Sequence, residues 1–140
     1  MGKISIGRVL LGGVVAGLVG DGLGYLVDGI WLAPLWSDGM LSLGKNEFSP
    51  DQWIYFNVLG LVTGIVAVWI YAAIRPRLGP GPLTAASAGA AVWVVGSLVP
   101  NLSFMWFGGL FGHRLTAFTT AAALVEIVAG TIAGAALYKE

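Results

Sequence analysis

Residues 12–31, GGVVAGLVGDGLGYLVDGIW, form a stretch that is apolar enough to cross a membrane yet contains two aspartates. A helix of 20 residues spans about 30 Å, which matches the hydrocarbon core of a bilayer. Acidic side chains are rare in such segments and usually face another helix or a water-filled cavity. The stretch therefore predicts a transmembrane helix with a polar site on one face.

The composition of the whole chain is typical of a protein that lies largely in lipid. Of 140 residues, 57% are hydrophobic and only 10% are charged, and the mean hydropathy is +0.86. The 22 glycines have no collagen-like period and suit close packing of helices in a bilayer. Seven basic and seven acidic residues leave no net charge, so the composition predicts no nucleic-acid partner.

The sequence contains no recognisable catalytic or cofactor-binding apparatus. There is no cysteine and only one histidine, His113, which argues against thiolate and multi-histidine metal sites. No Ser-His-Asp arrangement, HExxH motif or nucleotide-binding signature is present. We therefore expect neither an enzyme nor a bound metal or cofactor.

Four apolar segments predict an all-α fold, a single transmembrane four-helix bundle covering residues 1–140. Each segment meets the length of about 20 residues that a bilayer requires. Short connections predict an antiparallel up-down topology. The predicted helices are residues 4–32, 52–74, 83–111 and 114–138.

The residues between the apolar segments indicate where the helices begin and end. Pro34 closes the first helix, and Ser49-Pro50-Asp51-Gln52 has the pattern of a capping box with proline at the first helical position. The run RPRLGPGPLTA (residues 75–85) predicts a stiff turn that no helix crosses. Within residues 33–50, LWSDGMLSLG suggests a short helix along the membrane interface.

The distribution of basic residues predicts that both termini lie in the cytoplasm. Cytoplasmic loops of membrane proteins carry an excess of lysine and arginine. Only Lys45 and Arg114 fall on the opposite side of the predicted bundle. The cytoplasmic side would hold the other five basic residues, Lys3, Arg8, Arg75, Arg77 and Lys139.

Two stripes of small and acidic residues predict a contact between the first and fourth helices. Asp21 and Asp28 lie seven residues apart and share a helix face with Gly13, Gly17 and Gly24. The fourth helix repeats small or acidic residues every four positions. In an antiparallel pair, facing positions have a constant sum, which predicts the pairs Arg8–Lys139, Gly13–Gly134, Gly17–Gly130 and Asp21–Glu126.

The predicted pair of acids, Asp21 and Glu126, admits two interpretations. No basic residue lies at that depth, so at least one carboxyl should be protonated and the pair should share a proton, unless a cation or a partner's basic residue lies between them. Alternatively, the acids are neutral and hydrogen-bond the helices together, which contributes roughly 0.6 to 2 kcal/mol in membranes. The sequence leaves both interpretations open.

A second polar layer is predicted nearer the outer side of the bundle. Pro100 should kink the third helix and free the carbonyl of Gly96. A kink there either opens a pocket to the outer side or is a packing feature in which amides bond the loose carbonyls, and the second interpretation is favoured. The residues predicted to converge in this layer are Asp28, Asn57, Ser97 and Asn101.

The run RPRLGPGPLTAASAGAAVWVVG (residues 75–96), preceded by RVLLGGVVAGLV and followed by AGTIAGAALYKE, resembles a set of small bacterial four-helix membrane proteins described as hypothetical. These proteins share an RPRxGPGPxTA loop. The resemblance covers most of the chain, although the loop carries its clearest part. It implies the four-helix architecture and a bacterial inner membrane, and it implies no activity.

The sequence favours a non-catalytic structural or accessory protein, a subunit or modulator of a membrane complex. The alternative is a small proton- or cation-coupled transporter or channel, a homo-oligomer that works through Asp21 and Glu126. Its expected partners are the lipid bilayer and either other membrane subunits or further copies of itself. A membrane enzyme is the least favoured class.

Overall fold

The computed structural model describes residues 3–139, which contain helices and no strands. The end of α1 (Tyr25–Trp31) and two stretches of α4 (Val94–Leu98 and Asn101–Phe107) have the wider hydrogen bonding of a π-helix. The five helices in chain order are α1 Ile6–Trp31, α2 Ala33–Ser42, α3 Pro50–Leu78, α4 Pro82–Phe107 and α5 His113–Ala135.

Four of the helices are long and apolar enough to cross a membrane. They are α1, α3, α4 and α5, with 26, 29, 26 and 23 residues. Each exceeds the length of about 20 residues that spans a bilayer. This confirms the predicted all-α fold with four long apolar helices, as expected of a multi-pass membrane protein.

The start of α3 has the capping box that its sequence predicts. The Ser49 side chain accepts a hydrogen bond from the backbone N–H of Gln52 at 3.4 Å. The Gln52 side chain accepts one in return from the backbone N–H of Ser49 at 2.8 Å. Because two otherwise unpaired N–H groups are satisfied, the helix begins at Pro50.

No helix crosses the whole of residues 75–85, as predicted, although α3 runs past its predicted end at residue 74. Helix α3 continues through Pro76 to Leu78, and the chain turns at residues 79–81. Pro76 lies in the last turn, where its missing N–H removes one terminal bond rather than interrupting a long ladder. Gly79 and Gly81 have φ angles of 82° and 136°, which glycine adopts without a steric penalty, and they make the turn itself.

The segment between α1 and α3 contains a short helix, α2, as its sequence suggests. It starts earlier than predicted, because Pro34 occupies the first turn, where a proline needs no hydrogen bond. Only one residue, Leu32, separates α2 from α1. Leu32 is buried together with Met105 and Leu115, so this end of the bundle has its own small apolar cluster.

Small residues bring α1 into backbone contact with its neighbours. Helix α1 packs against both α3 and α5, and α4 packs mainly against α5. A Cβ at Gly64 of α3 would overlap the backbone of Gly13 and Gly17 in α1. Close approach of this kind maximises van der Waals contact, which is the main attraction between helices in lipid.

At the opposite end of the bundle, residues near the N-terminus and the C-terminus contact each other. The hydroxyl of Tyr138 accepts a hydrogen bond from the backbone N–H of Ser5 at 3.2 Å. The guanidinium of Arg75 lies 5.6 Å from the centre of the Tyr138 ring. The cluster of Val9, Tyr71 and Tyr138 is buried there.

Candidate functional site

The contact between α1 and α5 differs from the predicted register by one residue of α1. A Cβ at Gly12 would lie 2.6 Å from the carbonyl oxygen of Gly134, and a Cβ at Gly130 would overlap the carbonyl of Ala16. The predicted pairs Gly13–Gly134 and Gly17–Gly130 are therefore wrong. The residues that face each other are Gly12 with Gly134, Ala16 with Gly130, and Gly20 with Glu126.

The reason is that α1 has two close neighbours rather than one. Gly13 and Gly17 pack against α3, where their Cβ atoms would lie 2.5 Å from the Cα of Ile65 and 2.6 Å from the Cα of Leu61. Successive residues of a helix point about 100° apart, so adjacent positions can serve different neighbours. All four predicted packing glycines lie at helix contacts, but Gly13 and Gly17 contact α3 instead of α5.

Asp21 lies against α3 rather than directly opposite Glu126. A Cβ at Gly60 of α3 would overlap the Oδ1 atom of Asp21. The absence of a side chain at Gly60 is thus what makes room for the carboxylate. Because the α1–α5 register differs by one residue from the predicted one, Asp21 lies at the groove between α1 and α3.

Glu126 reaches toward α1 with a carboxylate whose Oε1 atom has no hydrogen-bond partner within residues 3–139. Its Oε2 atom lies 3.5 Å from where a Cβ of Gly24 would be, so it rests on the glycine face of α1. Its Oε1 atom is buried and accepts no hydrogen bond from residues 3–139. A carboxyl that holds two helices together would need such a bond, and Oε1 makes none with the described residues.

Two cavities meet at Asp21 and Glu126. The larger has a volume of about 710 Å³ and the smaller about 160 Å³. Gly20, Asp21 and Glu126 line both. The structure thus brings the two acids to one junction, although not as the directly facing pair that the sequence predicts.

The smaller cavity has both polar and apolar lining residues and lies between α1, α3, α4 and α5. Besides the two acids it is lined by the side chains of Thr63, Ser97 and Thr131. Its volume is several times the roughly 30 Å³ that one water occupies in the liquid. Water held there would contact both carboxylates and the hydroxyl groups.

The larger cavity combines acidic and aromatic side chains. Asp28 and Glu47 add two carboxylates to those of Asp21 and Glu126, and no lysine, arginine or histidine is among its lining residues. Its aromatic lining consists of Tyr25, Trp36, Phe48, Trp53, Phe56 and Phe111.

Asp28 is held in place by two donors that sequence reasoning missed. Its Oδ1 atom accepts hydrogen bonds from the hydroxyl of Thr119 at 2.8 Å and the indole N–H of Trp36 at 3.0 Å. Thr119 belongs to a cluster of buried threonines in α5 with Thr116 and Thr120. That cluster is the sequence signal for a polar face, since threonine hydroxyls commonly form hydrogen bonds between membrane helices.

The remaining residues of the predicted second layer converge only in part. Asn57 lines the larger cavity with Asp28, but its amide donates to the carbonyl of Trp53 in its own helix at 2.7 Å. Ser97 lines the smaller cavity instead. Asn101 lines neither and donates to the Thr120 hydroxyl at 2.9 Å.

Helix α4 is irregular at the place where its proline predicts a kink. Pro100 lies between the two π-helical stretches, Val94–Leu98 and Asn101–Phe107. The backbone N–H of Val99, next to the proline, bonds to the carbonyl of Val94 five residues back, which is the spacing of a π-helix. The indole of Trp93 also donates to the carbonyl of Thr120 at 2.8 Å, which ties α4 to α5.

No group of three or more metal-ligating side chains occurs within residues 3–139. The histidine stacks on Trp106, with ring centres 4.0 Å apart, away from both cavities. Comparisons of the chain with protein-family models, with curated proteins and with solved structures found no match.

Proposed function

We propose that this protein is a non-catalytic, multi-pass protein of a bacterial inner membrane that binds protons or a cation at Asp21 and Glu126 and couples this binding to transport. The observation that carries the proposal is the position of both carboxyls at the junction of two cavities that no basic residue in the described part of the chain lines. Ionisable groups inside a bilayer commonly mark the path of an ion or a proton. Here the charge of the site would change each time a proton or cation enters it.

The proposed topology is an antiparallel, up-down bundle with both termini in the cytoplasm. It is supported by the contacts of α1 with α5, in which residue numbers rise along one helix and fall along the other. It is also supported by the meeting of Ser5, Arg75 and Tyr138 at one end of the bundle. Most of the basic residues in the sequence belong to that end, which agrees with the excess of positive charge on cytoplasmic sides.

The proposed working form is a homo-oligomer. Transporters commonly expose a central site to each side in turn by rocking one half of the protein against another. A single 14.5 kDa bundle offers little mass for two such halves. Two or more copies would supply them.

Glu126→Gln tests this function directly. The protein is reconstituted in liposomes that contain a pH-sensitive dye, and proton flux is driven by an imposed membrane potential. We expect the variant to lose proton flux by about tenfold or more, because the amide keeps the size of the side chain but cannot carry a proton. Melting temperature and elution volume should stay close to those of the parent protein.

The matched control is Asp51→Asn, which neutralises an exposed acid in the first turn of α3, outside both cavities. We expect its flux to equal that of the parent protein. Undiminished flux through a well-folded Glu126→Gln protein would refute the proposed role of this residue.

An accessory subunit is the second candidate function. The observation that favours it is that no basic residue among the described residues 3–139 lines either cavity, so a partner subunit could supply one to the acids. Native mass spectrometry of protein extracted gently from its own membrane separates the two candidates. We expect assemblies of this chain alone under the transport proposal. A stoichiometric foreign subunit in every assembly would favour the accessory role.

A further inference from the structure

The larger cavity has the size of a small-molecule site rather than of an ion site. Its volume of about 710 Å³ falls within the range of roughly 300 to 1,000 Å³ typical of ligand pockets. A proton or a bare metal ion would use only a small fraction of this space. No cluster of metal-ligating side chains is found in the described part of the chain.

The charge of the lining favours a cation. Four carboxylates and no basic side chain border the cavity. An anion would meet only like charge, and a neutral ligand would leave the carboxylates without a counter-charge.

The aromatic lining favours an organic cation over a hydrated inorganic one. The ring of Phe48 packs edge-on against Trp36, Trp53 and Phe56, with ring centres 5.9, 5.9 and 5.3 Å apart. The ring of Trp36 also packs against Phe111 at 5.3 Å. Rings held in this way provide apolar surface and π faces that attract an ammonium group within about 6 Å.

Asp28 is the carboxylate best prepared for such a ligand. Both of its hydrogen bonds, from Thr119 and Trp36, go to the same oxygen, Oδ1. Oδ2 takes part in neither bond, so it is available to a charged group in the cavity. Because the carboxylate is already oriented, a ligand would lose little entropy in ordering it.

We propose that the larger cavity binds an amphipathic organic cation, with Asp28 next to its charge and the aromatic rings around its apolar part. The inference rests on the proposed function, because it names the class of substrate that a cation-coupled carrier with this cavity would move. Phe48 and Glu47 lie between α2 and α3, so this connection forms one wall of the binding site.

The test uses phenyltrimethylammonium as the probe and tert-butylbenzene as its neutral match. The two molecules have nearly the same shape, and the quaternary nitrogen keeps its charge at every pH. Binding to the full chain in lipid nanodiscs is measured by equilibrium dialysis against empty nanodiscs. We expect saturable binding of the cation and at least about tenfold weaker binding of the neutral compound.

Asp28→Asn should weaken binding of the cation by about tenfold and leave the neutral compound unaffected. The amide oxygen can still accept from Thr119 and Trp36, so the local structure is retained. The matched control is Asp38→Asn, an exposed acid of α2 outside the cavity, which should bind like the parent protein.

A second pair of variants tests the aromatic wall if Asp28→Asn does not fold. Phe48→Leu removes a π face and should weaken binding of the cation several-fold, whereas Phe48→Tyr should preserve it. Equal binding of cation and neutral compound, or unchanged cation binding in both Asp28→Asn and Phe48→Leu, would overturn the proposal.

The ammonium group could come from a soluble molecule or from a lipid headgroup, and the lipid of the nanodisc separates these sources. Phosphatidylglycerol carries no ammonium group, and phosphatidylserine, which has the same net negative charge, carries one. Equal affinity in both lipids indicates a soluble cation as the ligand. Weaker binding in phosphatidylserine indicates that the lipid ammonium occupies the same site, which keeps the organic cation as the ligand class.

The result is separable from that of the proposed function. If the probe does not bind but proton flux still depends on Glu126, the inference about the larger cavity fails and the coupling proposal stands. If the probe binds through Asp28 but Glu126→Gln leaves proton flux unchanged, the cavity is a binding site and the coupling proposal fails.

Discussion

Replacing Gly64 by leucine should prevent assembly of the bundle. A Cβ at this position would overlap the backbone nitrogen of Gly17 and the carbonyl oxygen of Gly13. Backbone atoms in the middle of a helix cannot move aside as a side chain can, so α1 and α3 must separate. Overpacking of a core typically costs about 1 to 3 kcal/mol, and separation of the central helix pair should cost more. We expect loss of the cooperative thermal transition and of the single peak on size-exclusion chromatography in detergent.

Gly22→Leu is the control for this substitution. Gly22 lies in the middle of α1 and has no atom within 4 Å of where its Cβ would be. Both substitutions replace glycine by leucine in a helix and gain about 1 kcal/mol of helix propensity. If Gly64→Leu melts within a few degrees of Gly22→Leu, the close contact of α1 with α3 does not hold the bundle together.

Gly60→Ala should abolish coupled transport without unfolding the protein. The added Cβ takes the place of the Asp21 Oδ1 atom, and the carboxylate must rotate away from α3. The displaced group lies at the end of a rotatable side chain, so we expect the melting temperature to change by only a few degrees. Proton flux should fall by about tenfold or more, as in Asp21→Asn, because the acid no longer lies at the junction of the two cavities.

The control is Gly96→Ala in α4, where a Cβ would have no neighbour within 4 Å. It should retain the flux of the parent protein. The double variant Gly60→Ala, Asp21→Asn should be no worse than either single variant, since both changes act on one carboxylate. A double variant that loses much more flux than the singles would show that Gly60 acts by another route.

The sequence was sufficient for the number and approximate positions of the long helices and for the existence of a polar site. Long apolar runs predict membrane-spanning helices because backbone polar groups in lipid must be satisfied within the helix itself. The capping box at Ser49 and Gln52 was readable because its hydrogen bonds join residues three positions apart. Asp21 and Glu126 could be identified as candidate site residues because acidic residues are rare in apolar helices.

The partners of these residues were decided by the tertiary structure. Helix α1 has two adjacent faces of small residues, and a sequence shows neither which neighbour each face meets nor where α3 lies. The observed register of α1 against α5 differs by one residue from the predicted register. As a result, Gly13 and Gly17 contact α3, and Asp21 lies next to Gly60.

The larger cavity also arises only in three dimensions. Its walls come from α1, α2, α3, α5 and the connections between them, and Asp28 meets Thr119 across 91 positions of sequence. Helix propensity and capping depend on residues that are close in sequence, so they can be predicted from the sequence. The register of the helix contacts and the positions of the cavities depend on which helix faces pack against each other. Several faces are nearly equivalent in sequence, so only the packed bundle determines these features.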